Sequence, residues 1–245
     1  MSLDVKRAAG IIPARFESTR FPGKPLHPIL GKPMIQRVYE GARTARLLSR
    51  VIVATDDARI FAAVESFGGE AVMTSSHHPS GTERVAEAAL GVEEPIVVNI
   101  QGDEPLIEGG LIDGLVEALQ DESVPMASVM VRTSELNLIH DRNVVKVVVD
   151  KNGFALYFSR APIPYDPAAH FLRHIGIYGY QKSFLNGFAS LGPTRLEQDE
   201  KLEQLRVLEN GYRIKMVETA YATLSVDVPG DIIKVEAALR KRMHG

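Results

Sequence analysis

The strongest constraint on this chain is a rhythm in its first half. Strand-like runs at Ala8–Pro13, Arg50–Ala54, Ala71–Met73 and Ile96–Ile100 alternate with segments whose apolar residues recur at helical spacing. Several runs are Ile- and Val-rich without polar alternation, which predicts strands buried on both faces. Between them, Pro33–Leu48 sets Ile35, Val38, Ala42 and Ala45 on one helical stripe. Asp56 and Asp57 offer cap chemistry for a helix through Phe67, which Gly68-Gly69 stops; Ser80–Leu90 and Gly110–Leu119 read as two more helices. Strands alternating with helices predict an α/β fold with a doubly wound, mostly parallel, Rossmann-like sheet. Ligands of such sheets bind beyond the carboxyl ends of the strands.

The second half changes texture. Ala127–Val131, Val144–Val149, Phe154–Phe158 and Ile175–Tyr180 read as strands with short connections, some of them antiparallel. Glu200–Leu208 reads as a helix, Ile214–Val217 and Leu224–Val226 as strands, and Asp231–Arg240 as a closing helix. No Ser/Gly-rich linker separates the halves. Residues 1–245 are therefore expected to form a single domain, with a smaller mixed α/β lobe inserted at approximately 132–218 that faces substrate.

Composition removes several classes of function. With no cysteine, disulfides, thiolate zinc sites, iron–sulfur clusters and a cysteine nucleophile are excluded. The balance of 28 basic against 31 acidic residues argues against general nucleic-acid binding, which calls for a clustered basic surplus. No apolar run approaches the ~18 residues of a membrane-spanning helix. The first residues lead into a strand without a signal-type core, so the cytoplasm is the expected location.

Six stretches could carry chemistry. After the first strand, Arg15, Arg20 and Lys24 are interleaved with small residues and a Pro22-Gly23 turn. Such a loop can wrap a polyphosphate, although it matches neither the P-loop nor the dinucleotide fingerprint; a solvated basic loop is the plain alternative. His78-Pro79-Ser80-Gly81-Thr82-Glu83-Arg84 opens a helix whose free N–H groups suit an anion, while helix capping alone would account for Ser80 and Thr82. Gln101-Gly102-Asp103-Glu104-Pro105 follows the most apolar strand, where an acid faces the ligand crevice; Asp103 is a hard-oxygen ligand of the kind Mg²⁺ prefers. Asp227, in Ser225-Val226-Asp227-Val228-Pro229, is a second acid at an expected strand end, or simply a turn former before a helix. Arg160 could fork a carboxylate and His174 could act as a base, although a hydrogen-bonded core histidine is commoner. In Leu202-Glu203-Gln204-Leu205 the leucines read as core and the polar pair as an exposed helix face.

Six motifs occur in order: Arg15 through Leu26, Ser80 to Arg84, Gln101 to Pro105, Tyr157 to Pro164, Arg173 to Tyr180 and Leu202 to Leu208. Over nearly the whole chain they resemble the 3-deoxy-manno-octulosonate cytidylyltransferases, also called CMP-KDO synthetases. The first motif alone resembles the wider sugar nucleotidyltransferases, CMP-sialate synthetases included. Departures from the family pattern are mild: Phe21 stands where leucine is usual, Glu83 where aspartate is frequent, and Val228-Pro229-Gly230-Asp231 keeps only Pro229 and Asp231 of the family turn.

The resemblance implies a nucleotidyltransferase fold, Mg²⁺, a homodimer, and coupling of CTP with KDO to give CMP-KDO and pyrophosphate for lipopolysaccharide synthesis. Residue by residue it implies Ala14, Arg15, Arg20, Lys24, Ser80, Arg84 and Gln101 at the nucleotide. It implies Gln101, Arg160, His174, Tyr178 and Glu203 at the sugar acid, Asp103 and Asp227 at the metal, and Arg15, Lys24, Asp103 and Asp227 in catalysis. A synthetase for another sugar acid, or a nucleotide-sensing protein without turnover, are the competing readings.

Overall fold

The computed structural model describes residues 5, 7–17, 21–221 and 224–244. These form two compact units. The first contains the described residues up to Asp113 and those from Leu224 onward; the second is Gly114–Tyr221.

In the first unit β1 (Ala8–Ala14), β2 (Pro28–Ile29), β3 (Lys32–Pro33), α1 (Met34–Ala42), β4 (Leu48–Thr55), α2 (Ala58–Ser66), β5 (Glu70–Met73), α3 (Gly81–Ala89) and β6 (Ile96–Asn99) follow in order. β1 pairs in parallel with β4 and β6, and β4 in parallel with β5, giving the order β6-β1-β4-β5. This is the parallel sheet that the apolar runs predict. Ile11, Ile12, Val53, Val97 and Val98 have almost no exposure, which is why those strands show no alternation. Helix α1 ends at Ala42, short of the expected Leu48. The reason is Asp113: its buried carboxylate accepts from Leu47 N at 2.9 Å and Arg46 Nε at 3.2 Å, turning the chain into β4. The boundary between the units falls inside α4 (Gly109–Ala118).

The second unit contains β7 (Met126–Thr133), β8 (Lys146–Val149), β9 (Ala155–Ser159), β10 (Phe171–Gln181), α5 (Lys182–Phe188), α6 (Arg195–Glu200), α7 (Leu205–Glu209) and β11 (Ile214–Glu218). β10 runs antiparallel to β7 and β8, β8 antiparallel to β9, and β11 parallel to β7. The single helix expected over 200–208 is two helices, broken at Lys201, whose φ of 57° is left-handed. The break is held by Arg160: Nε donates to Glu200 O at 2.9 Å and a terminal nitrogen reaches Lys201 O at 3.4 Å. Carbonyls that would have continued the helix are thus bonded elsewhere.

Lys146 is fully buried in β8, and its ammonium donates to the carbonyls of Asp141, Val144 and Arg160 at 3.0, 2.7 and 2.5 Å. All three of its protons are placed, which offsets the cost of burying the charge. Burial still lowers its pKa from the ordinary lysine value.

The chain returns to the first unit after Tyr221. No strand forms over Leu224–Val226, contrary to expectation; Val226 N instead makes one backbone bond, to Asp103 O at 2.9 Å. Helix α8 (Asp231–His244) follows. The carboxylate of Asp231 accepts from Asp227 N at 3.1 Å and Val228 N at 3.2 Å, so the capping role belongs to Asp231. Those backbone bonds hold its pKa below the usual aspartate value. An apolar cluster of Phe21, Ile29, Met34, Leu106, Val226, Ile232 and Val235 joins the first loop, the segment after β6 and α8. Phe21→Ala should lower the unfolding free energy of this unit by about 3–5 kcal/mol, read by urea denaturation. A loss well under 1 kcal/mol would show that the cluster closes without the ring.

Candidate active site

Two loops leave the carboxyl ends of the adjacent parallel strands β1 and β6. The first carries Ala14, Arg15 and Lys24; the second carries Gln101, Gly102 and Asp103. Their approach depends on two glycines. Gly23 has φ 71° and donates its N–H to Phe16 O at 2.9 Å, which closes the turn that presents Lys24. A Cβ on Gly102 would lie 2.9 Å from Pro13 O, so the second loop reaches the end of β1 only because it has no side chain there.

Lys24 is the junction. Its Nζ donates to Asp103 Oδ2 at 2.9 Å and to Val226 O at 2.8 Å, and its side chain is only 16% exposed. Val226 N in turn bonds Asp103 O. Sequence-remote Asp103 and the segment carrying Asp227 are thereby brought side by side. Asp103 keeps 30% of its side chain exposed, and Oδ1 has no hydrogen-bond partner among the described residues.

A cavity of about 260 Å³ is lined by Ala14, Arg15, Lys24, Ser80, Arg84, Gln101 and Asp103 with their neighbours. Every described residue assigned to the nucleotide by resemblance is therefore in one cavity; Arg20 lies outside the described residues, and Asp227 is not on the lining. Ser80 caps α3, its Oγ accepting from Glu83 N at 3.3 Å. Arg84 is only 4% exposed and its guanidinium donates to Thr74 Oγ1 at 2.6 Å and Asp56 Oδ2 at 2.8 Å. It therefore ties the carboxyl ends of β4 and β5 to α3 beneath the cavity. Arg15 is exposed and makes no ion pair among the described residues, so its charge is available to an anion. A second cavity, also about 260 Å³, shares Arg15, His78 and Arg84 and is bordered by Asp56 and Asp57. His78 pairs there with Glu87, whose pKa this bond lowers.

The second unit gathers His174, Tyr178 and Gln204. A register shift in β10 between Ile175 and Tyr178 leaves carbonyls off the ladder. Ser128 Oγ donates to Ile177 O at 2.9 Å, and His174 Nε2 lies 2.8 Å from that hydroxyl. Gln204 Nε2 donates to His174 Nδ1 at 3.4 Å, and Tyr178 OH donates to Gln204 Oε1 at 3.3 Å. The bonds are mutually consistent only with the proton on His174 Nε2. Gln204, expected on an exposed helix face, is 3% exposed, and Glu203 is half-buried beside it. Leu202 and Leu205, both core, bracket the pair, and that was the available signal. Arg160 does not stand free: its guanidinium donates to the carbonyls of Arg142, Glu200 and Lys201.

Burial pushes His174 down to about 3, so the ring is neutral at neutral pH. Burial first, and the charge of Glu203 second, push Tyr178 above the ordinary phenol value. A histidine depressed in the fold contributes stability that is complete above its unfolded value of 6.5 and is lost as pH falls toward about 3. Within that window the slope should be about 1 kcal/mol per pH unit. His174→Gln should flatten it, as measured by urea denaturation of both proteins between about pH 7 and about pH 5. Equal slopes would mean that the ring is already charged in the folded protein.

The geometry has counterparts among known proteins. A family model described as Cytidylyltransferase matches residues 9–215. The 3-deoxy-manno-octulosonate cytidylyltransferase of Syntrophobacter fumaroxidans is 55% identical, covering 98% of this chain and 99% of that protein. The protein of the same name from Geotalea uraniireducens is 52% identical, covering 96% and 100%. The solved structure of CMP:2-keto-3-deoxy-manno-octonic acid synthetase complexed with CTP superposes with a TM-score of 0.92 at 43% identity, covering 96% of this chain and 99% of that one. With full-length identity at this level and the same fold, this chain belongs to the cytidylyltransferase family, among the 3-deoxy-manno-octulosonate cytidylyltransferases.

Proposed function

We propose that the chain transfers CMP from CTP to 3-deoxy-D-manno-octulosonate (KDO), giving CMP-KDO and pyrophosphate for lipopolysaccharide synthesis. The observation that carries this reading is the cavity at the ends of β1 and β6. There Arg15, without an ion pair among the described residues, a bridging Lys24 and a part-exposed Asp103 meet, in a chain whose solved relative is described as complexed with CTP.

The triphosphate brings roughly four negative charges. Arg15 binds it with an uncommitted guanidinium, and Lys24 does so with the one ammonium proton not given to Asp103 or Val226. Ser80, Ala14 and Gln101 frame the nucleoside, and Arg84 holds that wall rigid. The anomeric hydroxyl of the sugar attacks the α-phosphorus in line. A new P–O bond forms, the bond to the β-phosphate oxygen breaks, pyrophosphate leaves with that oxygen, and the hydroxyl proton passes to water. Arg15 and Lys24 stabilise the charge that accumulates on the phosphates.

The chain's residues fit a divalent ion such as Mg²⁺, which Asp103 and Asp227 would hold. The donors are hard carboxylate oxygens, and Asp103 Oδ1 has no hydrogen-bond partner among the described residues. Mg²⁺ keeps several waters and takes further oxygens from substrate phosphates, so one or two carboxylates would suffice. Such an ion supplies charge neutralisation and lowers the pKa of the attacking hydroxyl.

His174, Tyr178, Glu203 and Arg160 form the sugar-acid side of the reading. Since His174 is neutral and bonded at both nitrogens, its part is to orient Gln204 and Tyr178. A homodimer belongs to the same reading. No helix among the described residues is long and apolar enough to cross a membrane, and a cytoplasmic location accords with CTP and KDO as substrates.

Pyrophosphate release should be fast only with CTP and KDO when CTP, UTP and ATP are each offered with KDO and with sialate. Preference for sialate would overturn the substrate assignment. Asp103→Asn should lower kcat about a hundredfold or more while the far-UV circular dichroism spectrum is unchanged. Wild-type turnover at saturating Mg²⁺ would remove Asp103 from the metal.

A further inference from the structure

We infer that Lys24 makes the acidic ledge selective for a divalent cation that arrives with its phosphates over the bare cation. The inference rests on the metal assignment to Asp103 made above. Three observations support it. The Lys24 ammonium is 2.9 Å from Asp103 Oδ2, so a cation on this carboxylate lies within a few ångströms of a fixed positive charge. The ammonium is not free to swing away at no cost, because Val226 O holds it at 2.8 Å and the side chain is largely buried. The cavity adds Arg15, a further cation without an acidic partner among the described residues.

A bare divalent ion therefore meets an Asp103 carboxylate already bonded to Lys24, and repulsion from that ammonium. A nucleotide-borne ion meets the same ledge with its charge already offset by phosphate oxygens, and those oxygens accept the remaining Lys24 proton. The same ammonium that opposes the ion alone favours the complex. Lys24 is in this respect a positioning residue: it ties Asp103 to the Val226 segment and sets which cationic species the ledge accepts. The chemistry predicts that metal and nucleotide load together.

The test is Mn²⁺ binding, followed by electron paramagnetic resonance, with wild type, Lys24→Met and Lys24→Gln. Without nucleotide, both variants should bind Mn²⁺ at least about tenfold more tightly than wild type. With CTP present the order should reverse. Circular dichroism and melting temperature establish that each variant is folded, and the Gln variant serves if the Met variant is not. Bare-ion affinity unchanged or weakened in the folded variants would overturn the inference. Adding Asp103→Asn to Lys24→Met separates the two layers. If the gain disappears, the ion sits on Asp103 and Lys24 governs it. If the gain persists, the ion sits elsewhere, and both the inference and the metal assignment fall. If Asp103→Asn alone abolishes Mn²⁺–CTP binding while Lys24→Met leaves bare-ion affinity at the wild-type level, the metal assignment stands and the inference fails.

Discussion

The site depends on one docking event: Val226 settling into the apolar cluster while its backbone closes on Asp103. Phe21 and Leu106 come from the two loops that line the cavity, Ile232 and Val235 from α8, and Val226 from the segment just before it. Burying these side chains supplies the cohesion; the single Val226–Asp103 backbone bond sets the register. Lys24 then bridges the same two segments with its ammonium. Non-directional packing thus brings together chain segments about two hundred positions apart, and a few directional bonds fix them to hydrogen-bond precision. Charged groups alone would not assemble this way, since a part-exposed ion pair contributes little.

Elsewhere the fold reserves some charged side chains for support. Arg84 and Arg160 read as ligand-binding cations in the sequence, and both spend their guanidinium donors inside the protein. Arg84 joins Asp56 and Thr74, and Arg160 joins three backbone carbonyls. Lys146 does likewise from a fully buried position. Of the arginines and lysines lining the cavity, Arg15 alone has no acidic partner among the described residues. A site that must bind a polyanion and release pyrophosphate benefits from that division, because rigid walls lose little entropy when the ligand arrives.

The parallel sheet was legible because its cause is local. Ile and Val runs without alternation have one good solution, burial on both faces, and Gly or cap residues mark their ends. The loops of Arg15, Lys24 and Asp103 were legible for the same reason, lying next to strand ends. What the sequence hid was set by distant partners. Asp113 ends α1 by accepting from Leu47, and nothing near Leu47 announces it. The 200–208 helix looks continuous until Arg160, forty positions away, takes its carbonyls. Leu224–Val226 has strand composition, yet it meets Asp103 through one bond and forms no ladder. Gln204 looked solvent-facing because its burial follows from partners on β10.

The polar row through the second unit has a final consequence. From Tyr178 through Gln204, His174 and Ser128, every link points the same way, and the last acceptor is the Ile177 carbonyl. Inverting the row would take the Ser128 proton away from that buried carbonyl, and this favours the one direction. The row therefore acts as a strut that ties β10 to the Gln204 turn.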